Sequence, residues 1–520
     1  MSENDSSAPA ASVPNRWLVV VGAILIQLCL GAIYAWSVFT PALSAGDPAD
    51  VTSVYSAEYL GMEQAEFDLM KEELAVPKEA LKAATKTFNE AQKDAAGDQM
   101  KTTLAQTAFD AAEKGFLASM DGIAAAHKVK DKIDALTYRF SKTQTQMVFA
   151  AGLALFAIVM VIAGRILPKI GPQKLAIAGG VVLGAGYILA GLFANGQFMP
   201  TFILIGVVGG AGIGLGYVVP IKVGMAWFPD KKGLITGLAV AGFGFGATLW
   251  VKLAGSWGGL IAGVGLNTTF IVYGAAFFLM CAVGALWMKI PPVGWKPEGY
   301  EPPAPTAGKV LAGSVDYTSG QMLATPQFYM IFLCFVFGAG AGLMSIGLMK
   351  LFPKQALETA GMTSTEASAI AGTAMAVFFS LANGIGRIAW GTLSDKLGRK
   401  LSIVVMMALQ GAVVLAFPYM AGTVALLYLG ATLIGFNFGG NFALFPTITA
   451  DTFGARNIGQ NYGWVFLSYG VGGIAGPIMG GKLGDMGNFP LAFTICGVMC
   501  LAAAGIAACV KPPKHDHVAA

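Results

Sequence analysis

A chain of 520 residues with 55% hydrophobic and only 12% charged side chains, 69 glycines and a mean hydropathy of +0.65 is no soluble globular domain. Apolar runs of about 20 residues, each long enough to cross a ~30 Å hydrocarbon core, recur through most of it, so an all-α polytopic membrane protein is expected. A formal charge of +4 spread over loops excludes a nucleic-acid patch, and six cysteines that fall in apolar runs without a CxxC argue against a disulfide framework or a metal site.

Residues 1–16 are polar and lack the basic n-region of a signal peptide, so they read as a tail before a retained first span over 17–42. Its GAIYAWSVF segment puts Tyr34 and Trp36 in the second half of that span. Between 43 and 139 the composition changes to Ala, Lys, Glu and Asp. Leu74, Leu81 and Phe88 recur at sevenfold spacing, and a second pattern follows from Gln99 to Met120 with Leu104, Phe109 and Phe116 apolar. This predicts a water-exposed helical hairpin inserted after the first span.

The rest of the first half, 140–290, is expected to hold spans at 140–163, 174–194, 199–222, 233–254 and 267–290. A Pro- and Gly-rich central loop, 291–325, is expected to be irregular. The second half, 326–511, predicts six more spans at 326–349, 364–390, 401–421, 424–446, 458–481 and 489–510, before a tail at 512–520. With the N-terminus inside, Lys and Arg concentrate in the inner segments, and the short outer ones hold Lys252, Lys350, Lys354 and Lys482. That charge bias predicts cytoplasmic termini, an extracytoplasmic insertion and a multi-pass place in the cell (inner) membrane of a prokaryote.

The two halves repeat each other. Gly164-Arg-Ile-Leu-Pro168-Lys169-Ile-Gly171 aligns with Gly391-Thr-Leu-Ser-Asp395-Lys396-Leu-Gly398, and the glycine-rich fourth span ending at Pro220 parallels the tenth ending at Pro446. Two similar six-span halves with a site between them is a transporter arrangement. No GxxxxGK[ST] loop is present, so ATP-driven transport and any nucleotide cofactor have no support. His127, His515 and His517 all lie outside the spans, which leaves no intramembrane imidazole relay.

Arg387 lies within the eighth span, where an ionisable group is costly unless it faces protein or a watery cavity. It is therefore a candidate binding residue, with snorkelling or carbonyl bonding near the end of a long helix as the alternative. Asn383 lies one turn earlier on the same face. Tyr34, Trp36, Tyr217, Asn437 and Asn441 are candidates to line a shared cavity, although aromatics and amides in spans also serve packing.

Six plus six spans and GTLSDKLGRK after the eighth resemble the major facilitator superfamily. RWLVVVGAILIQLCLGAIYAWSVF, GIGLGYVVPIKVGMAWFPDKKGLITGLAVAGFGFG and ATPQFYMIFLCFVFGAGAGLM resemble, more narrowly, the oxalate/formate antiporter family, related to monocarboxylate transporters. The resemblance covers nearly the whole chain except the insertion. It implies a fold of twelve transmembrane helices in two pseudo-symmetric halves, and secondary transport of a small carboxylate by a monomer that is not an enzyme, with a counter-anion or proton as the coupled species. Arg387 then matches an arginine that pairs with the substrate carboxylate. Asn383 stands where proton-coupled relatives have an aspartate, and as an amide it cannot titrate. Tyr469 stands where the oxalate exchanger type has a lysine, which favours lactate, pyruvate or formate over a dianion. Asp395, Lys396 and Arg399 resemble the superfamily's inner-face latch, and Pro168 replaces the acid in the first half. A membrane sensor with a transporter-like body and a ligand-binding hairpin is the alternative.

Overall fold

The computed structural model describes residues 15–43, 56–94, 99–135, 138–140, 142–255, 258–292, 295–301, 316–349, 351–511 and 513. Among the described residues all regular structure is helical, as it must be where lipid offers the backbone no hydrogen-bond partner. The first half runs α1 (Trp17–Leu30, continued by 3-10 turns over Gly31–Val38), α2 (Gln64–Asp94), α3 (Gln99–Ala126), α4 (Lys142–Ile170), α5 (Pro172–Phe193), α6 (Phe198–Trp227), α7 (Lys232–Ala254) and α8 (Leu260–Ala285). The second half runs α9 (Pro326–Leu348), α10 (Ser364–Thr373, a π-helical turn at Ala374–Phe379, then Ser380–Leu397), α11 (Arg399–Met420), α12 (Val424–Phe453), α13 (Ile458–Asp485) and α14 (Phe489–Cys509).

Among the described residues eleven helices are long and apolar enough to cross a membrane. The twelfth long helix of the bundle, α13, falls short on hydropathy alone. Its interior faces carry Asn461, Ser468 and several glycines, which suit a helix walled by other helices rather than by lipid. Several helices extend past the apolar runs: α4 continues to Ile170, α6 to Trp227 and α12 to Phe453. They project together at the end of the bundle that also holds Arg16, called the N-face below.

The internal repeat is visible in the backbone. Gly171 (φ +83°) and Gly398 (φ +86°) occupy equivalent turns and connect α4 to α5 and α10 to α11 without a linker. A left-handed φ of that kind suits glycine, which lacks the Cβ that would clash. Within the halves α5 packs on α8, α9 on α13 and α11 on α14. Two seams join the halves: α7 against α10, and α4 against α13. Both seams are lined by small residues, so that Gly233 meets Gly391, Gly237 meets the main chain of Arg387, and Gly164 meets Gly459. Backbones can approach this closely only without side chains between them.

Between α1 and α4, helices α2 and α3 lie antiparallel around a separate small core of Phe67, Met70, Leu74, Phe116, Met120 and Ala124. The seam is the sevenfold pattern only in part. Leu74 is buried, while Leu81 and Phe88 are side chains outside the described set.

Candidate functional site

The site is assembled from helices of both halves. In α1 the 3-10 stretch Gly31–Val38 carries Tyr34 into a T-shaped contact with Phe243 of α7, ring centroids 5.0 Å apart. The π-helical turn in α10 lies just before Ser380, whose hydroxyl donates to Met375 O at 3.0 Å; the next two turns carry Asn383 and Arg387. Such a bulge rotates the residues that follow it, here toward the seam with α7.

Arg387 is completely buried. Its Nε donates to Asn383 Oδ1 at 3.1 Å and its Nη1 to the main-chain oxygen of Val240 at 2.9 Å. The second bond crosses from the second half to the first. The guanidinium carbon lies 4.1 Å from the centre of the Phe442 ring and 5.5 Å from that of Phe243, within cation–π range of both. Nη2 is buried with no hydrogen-bond partner among the described residues. A buried cation held by an amide, a carbonyl and two ring faces retains donors for one further acceptor, and leaving them unmet is costly.

Around that group stands a box of aromatics. Phe156, Tyr217 and Phe243 come from the first half and Phe466 and Tyr469 from the second, with Phe156 4.8 Å from Phe466 and Tyr217 5.2 Å from Phe466. The Tyr34 and Tyr469 hydroxyls bridge the halves at 2.6 Å. The hydroxyls of Tyr34 and Tyr217 lie within electrostatic reach of the guanidinium. The Tyr217 and Tyr462 hydroxyls, like Nη2, are buried without a hydrogen-bond partner among the described residues.

The structure therefore brings Arg387, Asn383, Tyr34, Tyr217 and Tyr469 together. It directs the other three candidates elsewhere. Trp36 donates its Nε1 to Thr145 O at the start of α4, 2.8 Å away. Asn437 accepts from Trp390 Nε1 at 3.2 Å, tying α12 to α10. Asn441 donates to Phe438 O at 3.0 Å on its own helix and turns its oxygen toward Gly338 of α9. Sequence reasoning did not reach Val240, Phe156, Phe243, Phe442, Tyr462 and Phe466. Their only signal was an aromatic or aliphatic residue in an apolar run.

At the N-face, Asp395 accepts from the amides of Gly233 and Leu234 at 2.9 and 2.8 Å, capping α7 with a carboxylate from the other half. Arg399 holds Asp395 at 2.6 Å and Asp451 at 3.1 Å, and Lys232 of the first half reaches Asp451 at 3.3 Å. Lys396 points to the surface.

Comparison with known proteins fits this geometry. Over 218 residues, 41% of this chain and 49% of the relative, the sequence is 31% identical to the uncharacterized MFS-type transporter YhjX of Escherichia coli K12. It is 27% identical over 205 residues, 39% of this chain and 47% of the relative, to the oxalate:formate antiporter of Oxalobacter formigenes. It is 39% identical over 90 residues, 17% of this chain and 16% of the relative, to apicoplast pyruvate carrier 1 of Toxoplasma gondii. The matched stretches thus span about half the length of the first two relatives. Among solved structures, the Escherichia coli fucose:proton symporter superposes with a TM-score of 0.52 over 70% of this chain and 90% of its own at 15% identity, a likeness of fold. The family model of the Major Facilitator Superfamily matches residues 103–378 and 351–519, and the chain belongs to that superfamily of membrane transporters.

Proposed function

We propose that this transporter moves small monocarboxylates by alternating access, with Arg387 as the docking group. The observation that carries the reading is the guanidinium itself. It is buried between the halves, its charge is met by no acid in the contacts it makes, and Nη2 has no hydrogen-bond partner among the described residues, with the Tyr34 and Tyr217 hydroxyls nearby as further polar groups. A carboxylate is the acceptor that suits it, because the planar fork gives parallel bonds to two oxygens and stays charged at any working pH. One cation with phenols beside it suits a monoanion such as lactate, pyruvate or formate better than oxalate. The Phe and Tyr faces supply the apolar wall such a ligand presents to its methyl or hydrogen end.

The seams describe a state closed at the N-face, where Asp395, Lys232 and close-packed glycines hold the halves together. Opening that face parts α7 from α10 and so breaks the bond from Arg387 to Val240 O. A docked carboxylate supplies the replacement acceptor, whereas an empty site exposes an unmet buried charge. This favours anion exchange over free return of the empty carrier, and Asn383, unable to titrate, offers no proton site beside the arginine. The excess of Lys and Arg in the N-face loops supports a cytoplasmic N-face and an outer position for the α2–α3 hairpin.

Proteoliposomes loaded with unlabelled anion and offered labelled lactate, pyruvate, formate and oxalate test the reading. Counterflow of the monocarboxylates, lost in Arg387→Ala protein of unchanged folding, is expected. Arg387→Ala protein with wild-type flux rejects the site, and binding without flux turns the reading toward a receptor.

A further inference from the structure

The repeat predicts a symmetric lock at the N-face, and the sequence breaks it. In the second half Asp395 of α10 caps the start of α7. The equivalent residue of α4 is Pro168, which has no acceptor to offer the start of α13. One polar tie between the halves is therefore missing on the α4–α13 side, although Gly164 and Gly459 keep the backbones in close contact there.

Lys222 of α6 stands beside that gap. It follows Pro220 by two residues, so its counterpart after Pro446 is Ile448, an apolar side chain buried in α12. The Lys222 ammonium donates to Ala455 O at 2.8 Å and to Arg456 O at 2.7 Å, in the turn between α12 and α13. That turn belongs to the other half. It is stiffened from behind by Asp316, which accepts from Arg456 N at 3.0 Å, and by Asn457 and Asn461, which both donate to Tyr317 O. A cation at the end of α12 also meets the negative pole of that helix.

We propose that Lys222 is the second arm of the N-face lock, replacing the acid absent at position 168. The two arms differ in kind. On one side the second half supplies a carboxylate to first-half amides; on the other the first half supplies an ammonium to second-half carbonyls. Both must release before the N-face opens, so Lys222 controls how long the closed state lasts without touching the cargo. The assignment rests on the alternating-access reading only for its consequence; the lock itself is a property of the empty protein.

Hydrogen–deuterium exchange on the full chain in nanodiscs, without any anion, separates the two. Lys222→Met should raise exchange by about tenfold in the amides of residues 455–461 and, across the seam, in residues 160–170 and 233–240, while α5 and α8 stay protected. Lys222→Arg, which keeps a charged donor, should match the wild type, and Lys222→Gln should fall between. Exchange that rises only at the 455–458 turn, or not at all, overturns the lock. If Lys222→Met loses protection throughout, the comparison of Gln with Arg decides, because equal protection in those two refutes the proposal. A failure of carboxylate transport in the wild type would leave this result unaffected.

Discussion

Replacing Arg387 by lysine keeps the charge and removes the fork. The guanidinium spends Nε on Asn383 Oδ1 and one Nη1 hydrogen on Val240 O, and Nη2 has no hydrogen-bond partner among the described residues. A lysine ammonium is one compact donor group on a shorter reach. It can hold the Val240 oxygen or a ligand oxygen well, but cannot reproduce the paired geometry. Losing one charge-assisted hydrogen bond in a completely buried site is worth about 1.5–3 kcal/mol, with no solvent to soften it. At ~1.4 kcal/mol per tenfold, the KM for a monocarboxylate should rise roughly 10- to 150-fold. Asn383 Oδ1 loses its donor as well, and a buried acceptor left unmet costs about 1–3 kcal/mol in stability. The assay is initial-rate counterflow over a range of external anion, with thermal unfolding in detergent as the control for folding. A KM within twofold of the wild type would refute the fork as the docking group, whatever happens to the maximal rate.

Asn383→Asp places a carboxylate against the arginine, so that the cargo competes with an internal anion until the new group takes a proton. Flux should then rise as pH falls, and a pH profile identical to the wild type would count against Asn383 as a site residue. Tyr469→Lys puts a second cation beside the Tyr34 hydroxyl and should shift preference from monocarboxylates toward oxalate, read as the ratio of counterflow rates; an unchanged ratio places the discriminating contacts elsewhere. Gly237→Val drives a branched side chain into the main chain of Arg387 and should part α7 from α10. Exchange of amides 233–240 should increase and counterflow should fall, whereas a silent variant would mean that this close approach is not needed for closing the N-face.

Much of the architecture was legible because lipid imposes one rule on every span: a long apolar run must be a helix. Arg387 stood out for the same reason, since a charge in such a run has to be accounted for. The rest of the site was hidden by that uniformity. Phe442 and Phe466 line the box while Phe278 faces outward at 41% exposure, and nothing in an apolar run separates the two. Val240 contributes only its carbonyl, which no side-chain pattern reveals. Trp36 and Asn437 looked like cavity residues because amphipathic side chains in a span suggest a ligand; their polar atoms instead meet a helix end and a neighbouring indole. Lys222 carries no distinguishing signal in the sequence, since a lysine near the end of a span is indistinguishable from topology-setting charge.

Among the described residues, the main chain on either side of the α2–α3 hairpin is joined by a bond from Phe140 N to Leu43 O at 2.8 Å. The two ends of the appendage thus meet at its base, where Tyr138 and Phe140 pack on Phe270 and Phe198 of the bundle and the Ser56 hydroxyl donates to Ala262 O. A pendant tied in this manner can be excised and its stumps bridged by a short linker, leaving the rotational phase of α1 and α4 undisturbed.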